Sequence, residues 1–585
     1  MKTTKNIARL AVTAGLTAAL SFGGVMAPVT MAFAEGTPTV ATDKGKVNIV
    51  DDTYVVTTFK GIQIFSAKVT QDKEGNTWSG DKTLSDIEWA PGNVKTLVTT
   101  ALADVSGAPD ADADAQTWAE FISETQGSNV GKDTAVNADT ALDLIARALE
   151  KDATLTWKNP SNSSKGNFEN LDHGYWLFVT DTLGTSSTAE GNTDAYTSPI
   201  FTIVGGSDVN VAPKKSVPNV TKAVMDDKGD KFVTDVNKTV FTAANKAADS
   251  ASEQPINYQL AGTVASNINT YKKYSYAFTD ELPTTMVPEL GKDGKPAVVV
   301  KIDETVVKPD CYSVNYVPGT SKNVLTVSFE NLKEVKDENG NDITVNGESK
   351  VYVNYQAKLV ASEITESILG VAQTNTVKLT YSNNPHIEGT GDTVVHSAYD
   401  YTYGIAVTKV GSDKDESGNP KTLEGVQFTL REKDSSVFIK ADGTTTSNKN
   451  DAILTTNENG KISVVGLDEG TYVLTEIKPA PGYNNSASNG VTFTIARGDL
   501  KQDGTEVTPD VNSAHVTAAD GVVMANSATV STGKLSFTIV DKKGSNLPLT
   551  GLNGVTFTWI AGGAVLCIGV AHLVRSRKRD EGSEE

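Results

Sequence analysis

Strand-length segments bounded by Gly, Asn, Asp or Pro recur through this chain, and within them apolar and polar residues alternate. Clear examples are 351–359, 376–382, 425–431, 472–477 and 535–540. A strand sends successive side chains to opposite faces, so this pattern calls for antiparallel sheets with one face buried. Helical periodicity is evident only early. Over 141–151, Leu142, Ile145 and Leu149 fall on one face, with Asp139 or Thr140 as N-cap, and 117–124 suggests a second short helix. A chain of 585 residues is too long for one core, and about three domains are expected. The reading is a mainly β protein of tandem immunoglobulin-like β-sandwich domains, with a few short helices in the N-terminal one.

Both ends read as address labels. Lys2, Lys5 and Arg9 precede a short apolar stretch around Leu10, Val12, Leu16 and Leu20. Ala32-Phe33-Ala34 then supplies the small residues of a cleavage site, so 1–34 reads as a signal peptide. At the other end Leu547-Pro548-Leu549-Thr550-Gly551 precedes an apolar run, 555–574, and the basic cluster Arg575, Arg577, Lys578 and Arg579. Such a run is long enough for a membrane helix, held with its basic end in the cytoplasm.

Charge and composition exclude several classes. The net charge is −20 with no basic stripe, so no nucleic-acid partner is expected. Five histidines occur without an HExxH pair, and there is no GxSxG elbow or phosphate loop, so no metal, no cofactor and no enzyme active site is expected. Asp110, Asp112 and Asp114 alternate as in a calcium loop, but Ala115 and Phe121 stand where glycine and glutamate are needed. Of two cysteines, Cys567 lies in the apolar run, leaving Cys311 alone. A long exported chain without a disulfide needs another source of strength.

Strand parity suggests what that source is. Lys409 lies in line with Ile405 and Val407, Glu476 with Tyr472 and Leu474, and Asp541 with Leu535, Phe537 and Ile539. Ionisable groups on core faces are costly unless they neutralise one another or react. Burial favours a neutral lysine and a neutral carboxyl, so Lys409 could act as nucleophile on Asp541, with Glu476 moving the proton. Farther back, Lys222 aligns with Val220 and Val224, Asp280 with Tyr274, Tyr276 and Phe278, and Asn375 with Val377, Leu379 and Tyr381. Asn383 shares that last parity. The first domain offers no such trio; 168–179 reads as a core strand after a turn.

These motifs resemble those of Gram-positive backbone pilins of the SpaA/FimA-like kind, with CnaA- and CnaB-type isopeptide domains. The stretch from Gly470 to Tyr483 is similar to the pilin E-box, with Ile477 where Thr is usual and one extra residue before Ala480. Asp541 stands where most members carry Asn, which implies a Lys409–Asp541 bond catalysed by Glu476. For the middle domain the resemblance implies Lys222 joined to Asn375 with Asp280 assisting, Asn383 being the alternative acceptor. The C-terminal arrangement resembles an LPXTG sorting signal, implying sortase cleavage between Thr550 and Gly551. Val209-Asn210-Val211-Ala212-Pro213-Lys214 resembles the pilin motif that carries the acceptor lysine, with Ala212 in place of the usual tyrosine, Gly205 in place of tryptophan and Lys215 as the substitute amine.

The expected division is 1–34 signal peptide, 35–213 N-terminal domain, 214–400 middle domain, 401–546 CnaB-type domain and 547–585 sorting signal. Expected partners are pilus-specific and housekeeping sortases, identical subunits, a tip or minor pilin, peptidoglycan and an unidentified host receptor, on the cell wall of a Gram-positive bacterium. The alternative is a wall-anchored adhesin or accessory pilin that does not polymerise.

Overall fold

A computed structural model describes residues 36–51, 56–125, 135–184, 191–225, 246–496, 516–531 and 533–544. The expected signal peptide, the sorting signal and the apolar run 555–574 lie outside them. No helix among the described residues is long and apolar enough to cross a membrane. The protein is mainly β, and its sheets fall into three groups along the chain.

In the first group the long strand Thr58–Glu74 is the organiser. It pairs with Gly174–Thr182 over its N-terminal half and with both Thr77–Trp89 and Thr37–Val40 toward its C-terminal end, and Ile200–Val204 extends the sheet. The expected single strand over 168–179 is instead two, Asn167–Leu171 and Gly174–Thr182, in different sheets. Gly174, at φ +141°, makes the break, in a backbone region that β-carbon-bearing residues avoid. Three α-helices, Val94–Ala101, Ala115–Thr125 and Ala141–Lys151, cover the larger sheet. Their buried side chains, among them Trp118, Ile122, Leu142, Ile145 and Leu149, share a core with Ile64, Phe65 and Leu177 of the sheet. Asp114 accepts from the backbone N–H of Thr117 at 2.8 Å, capping the second helix.

The second and third groups are each two sheets packed face to face. In the second, Val220–Met225, Ile256–Thr263 and Lys350–Leu359 form one side. Opposite lie Tyr276–Pro283, Gln373–Ser382 and His396–Tyr401. In the third, Tyr403–Lys414 and Lys534–Asp541 run side by side and parallel, although they are the first and last long strands of the group. The facing sheet is centred on Gln427–Glu432 and Gly470–Lys478. Burial alternates strictly along Lys534–Asp541 and over most of Gln373–Ser382, as strand parity requires.

The groups are keyed together by polar contacts. Arg147, on the third helix, donates to the carbonyls of His386 at 3.1 Å and Pro385 at 2.8 Å. Ser252 enters the third group: its N–H donates to Gly466 O at 3.0 Å and its hydroxyl to Asp442 O at 2.5 Å. Gly466 sits at φ +73°, where a Cβ would stand 1.9 Å from Ser252 Oγ. Gly466→Ala is therefore expected to destabilise the full chain by more than about 1 kcal/mol. Calorimetry should show this as a lowered or split transition, with the second and third groups unfolding less in step.

Candidate functional site

Lys409, Glu476 and Asp541 come from three strands and meet in the core of the third group. Lys409 and Asp541 lie on the adjacent parallel strands, where Lys409 is level with Ile539 and Asp541 with Gly411. Glu476 approaches from the facing sheet, on the strand Gly470–Lys478. Lys409 Nζ is 2.5 Å from Asp541 Oδ1 and 2.9 Å from Glu476 Oε2, and all three side chains are wholly buried. The ring of Phe428 lies beneath the ammonium, 5.8 Å from its centroid. Two buried carboxyls and one lysine cost several kcal/mol per ion in desolvation if all are charged. Burial pushes the Glu476 carboxyl up to about 7, against the pull of Lys409, and Asp541 adds to the rise. Glu476 is thus suited to hold and pass a proton near neutral pH.

Asp541 has a further neighbour that the sequence reading missed. Ser486 donates to Asp541 Oδ1 through its N–H at 3.1 Å, and its hydroxyl lies 2.5 Å from the same oxygen. Asp541 Oδ2 and Glu476 Oε1 are buried and accept no hydrogen bond from an N–H or hydroxyl of the described residues, and the two carboxyls lie within hydrogen-bonding reach of each other. Ser486 lies in the loop after the E-box-like stretch, where no periodicity marks it. Within that stretch, Tyr483 packs over Gly411 and donates to Asp413 at 2.7 Å, closing the end of the first strand.

In the second group the expected trio also converges, now across the two sheets. Lys222 projects from Val220–Met225, while Asp280 and Asn375 come from neighbouring strands opposite. Lys222 Nζ is 2.5 Å from Asp280 Oδ2, and Lys222, Asp280 and Asn375 are fully buried. Tyr355, which the sequence reading passed over, stands between them. Its hydroxyl donates to Asp280 Oδ2 at 2.8 Å and accepts from Lys222 Nζ at 3.1 Å and Asn375 Nδ2 at 2.9 Å. Parity could have found it, because Val351, Val353, Tyr355, Ala357 and Leu359 form one buried face. Burial lowers the Lys222 amine to about 8, with Asp280 opposing, and burial raises the Asp280 carboxyl. Asn383 is placed elsewhere: its amide donates to Asp194 O at 3.1 Å.

The two candidate linker lysines differ sharply. Lys215 Nζ lies 2.5 Å from both Asp51 Oδ2 and Asp194 Oδ2, its side chain 8% exposed. Lys214 is half-buried, and its backbone is held by Thr197 Oγ1, which accepts from its N–H at 2.8 Å, and by Ser198 N–H, which donates to its carbonyl at 2.8 Å. From 212 to 219 the chain forms no regular element. In the first group Lys82 is buried, but its amine is met by the carbonyls of Ile203 at 3.2 Å and Ser207 at 2.7 Å, so it forms no lysine–carboxyl trio.

The third-group cluster has a pH signature once its cation is removed. In a Lys409→Met chain, Glu476 and Asp541 remain buried without a counter-charge. The folded Glu476 carboxyl already stands raised from 4.5 to about 7 with the lysine present, and losing the lysine raises it further. An acid whose folded pKa is raised is favoured by folding below its unfolded value and loses that support as pH rises. Thermal unfolding of this variant should therefore show greatest stability near pH 4.5 and decline as pH rises through 7, more steeply than wild type.

Comparison with protein families matches residues 406–508 to the SpaA family, described as a prealbumin-like fold domain. No curated protein matches the chain. Among solved structures, the full-length major pilin SpaD from Corynebacterium diphtheriae is 16% identical, covering 86% of this chain and 98% of that one at a TM-score of 0.43. The T6 backbone pilin of serotype M6 Streptococcus pyogenes is 15% identical, covering 87% and 100% at 0.47. The full-length major pilin RrgB from Streptococcus pneumoniae is 15% identical, covering 67% and 87% at 0.36. Over the span that holds Lys409 and Glu476, this chain is similar to the SpaA prealbumin-like domain family.

Proposed function

We propose that this chain is the shaft subunit of a Gram-positive covalent pilus, stiffened by internal isopeptide bonds and joined head to tail by sortase. The observation that carries this reading is the buried Lys409, 2.5 Å from Asp541 and 2.9 Å from Glu476, beginning within a span similar to SpaA domains. Neutral Lys409 attacks Cγ of protonated Asp541, Glu476 takes the amine proton and returns it to the departing hydroxyl, and water leaves. Ser486 holds Asp541 Oδ1, so Oδ2 is the oxygen suited to depart. In the second group Lys222 attacks Asn375 with Asp280 carrying the proton, and ammonia leaves. Asn383 is the poorer acceptor because its amide is engaged with Asp194.

Polymerisation rests on the C-terminal signal and on a linker amine. Sortase cutting after Thr550 would leave an acyl group for an amine of the next subunit. Lys214 is the better acceptor, since Lys215 is neutralised by two carboxylates and hidden. Joining two different surfaces of identical subunits grows a fibre rather than a ring. The proposed division is signal peptide 1–34, domains 35–213, 214–400 and 401–546, and sorting signal 547–585, and the three sheet groups support its three middle segments. Sortases, identical subunits, a tip or minor pilin, peptidoglycan and a host receptor are the partners of this reading, which places the protein in pili on the cell wall.

Intact-mass measurement of the mature protein should show a deficit of about 35 Da, one water plus one ammonia. Glu476→Ala should restore about 18 Da and Asp280→Ala about 17 Da. A wild-type mass equal to the sequence mass would refute internal cross-linking. Wall extracts on a denaturing gel should give a ladder that Lys214→Ala collapses to monomer, and digested pili should yield a branched peptide joining Thr550 to Lys214. A single wild-type band would favour the non-polymerising adhesin, and a branch at Lys215 would shift the acceptor by one.

A further inference from the structure

Among the described residues, the Tyr355 hydroxyl is the one group hydrogen-bonded to all three members of the second trio: Lys222 Nζ, Asp280 Oδ2 and Asn375 Nδ2. We propose that Tyr355 is a catalytic proton relay that carries a proton from Asp280 to the leaving nitrogen of Asn375. This role rests on the Lys222–Asn375 bond proposed above.

The direction of each hydrogen bond supports the relay. Before reaction the planar Asn375 amide nitrogen can only donate, and it donates to the Tyr355 oxygen, while the Tyr355 hydroxyl donates to Asp280. When Lys222 Nζ bonds to Asn375 Cγ, the amide resonance is lost and Nδ2 gains a basic lone pair. The contact at 2.9 Å can then reverse, with Tyr355 as donor. Asp280 sits 2.5 Å from Nζ and makes its contact with Nδ2 through the hydroxyl, which already bridges the two.

The protons balance. A first proton passes from the Lys222 ammonium to Asp280, leaving a neutral amine and a neutral acid. The amine adds to Cγ, and its nitrogen then bears two protons and a positive charge. Asp280 gives its proton to the Tyr355 oxygen as the hydroxyl proton moves to Nδ2. The Cγ–Nδ2 bond breaks, ammonia leaves, and Asp280 takes the second proton from Nζ. The products are the amide, ammonia, neutral Asp280 and an unchanged tyrosine. A neutral Asp280 fits its full burial beside a bond that no longer carries charge.

The packing makes a clean test possible. The Tyr355 ring stacks on Tyr258, centroids 5.4 Å apart and 15° between planes, so Tyr355→Phe removes the hydroxyl and keeps the ring. Tyr276→Phe removes a buried hydroxyl of the same core that donates instead to Thr263 O at 2.7 Å. The full chain is pulse-labelled and sampled after synthesis, and peptide mass maps follow the joined Lys222 and Asn375 peptides. Wild type and Tyr276→Phe should join at similar rates, while Tyr355→Phe should be slower by roughly 100-fold. Heavy water should slow wild type and have a smaller effect on the residual rate of Tyr355→Phe. Joining of Tyr355→Phe within about threefold of wild type, equal slowing by Tyr276→Phe, or an unchanged isotope effect would each overturn the relay. Absence of the joined peptide from wild type would instead refute the Lys222–Asn375 bond itself.

Discussion

A lysine enclosed with carboxyl groups in a β-sandwich core is an expense that apolar packing would avoid, and this chain carries it twice. The surroundings remove water, and dehydration makes the neutral amine and neutral acid easier to reach. The same burial that raises Glu476 and lowers Lys222 would suit them to the proposed condensations, Lys222 as nucleophile and Glu476 as proton carrier. Much of the surrounding structure serves to hold these groups together, from the parallel pair of first and last strands to the tyrosines around Lys222.

Strand placement gives the two proposed bonds their mechanical meaning. In the third group Lys409 and Asp541 lie on neighbouring strands at opposite ends of the group's sequence. Tension entering at Tyr403 and leaving beyond Asp541 would cross the bond and bypass the residues between. In the second group Lys222 and Asn375 bridge opposite sheets, so tension would shortcut the sandwich itself. A chain with Cys311 as its single described cysteine would gain from the proposed bonds closed loops that reduction cannot open. Closing a loop on the order of 100 residues stabilises by about 4 to 5 kcal/mol on the chain-entropy account of disulfides.

The joints between groups follow another rule. They use backbone carbonyls and short side chains, as in Arg147 against 385–386 and Ser252 against Gly466. Such contacts demand close approach, and Gly466 supplies it by lacking a side chain. Lys215 acts at the first joint, locked between Asp51 and Asp194, and so fixes the backbone from which Lys214 departs.

Parity made much of this legible in the sequence. A strand's alternation is local, so the core faces bearing Lys409, Glu476, Asp541, Lys222, Asp280 and Asn375 could be read without coordinates, and the structure buries all six. The amphipathic helix over 141–151 was equally local. Partnership was not legible, because it depends on how strands distant in sequence are laid side by side. Only the tertiary structure set Lys409 two residues from level with Asp541, turned Asn383 toward Asp194 and hid Lys215 while leaving Lys214 half-buried. It alone brought Tyr355, whose inward face parity could have shown, to the second trio, and Ser486, which no periodicity marks, to Asp541. The split of 168–179 into two strands also lay beyond pattern, since the break is made by the backbone angle at Gly174 and by which sheet each half joins. Sequence determined which side chains face inward; the crossing of the strands decided which of them meet, because distance between residues on different strands is set by register and packing.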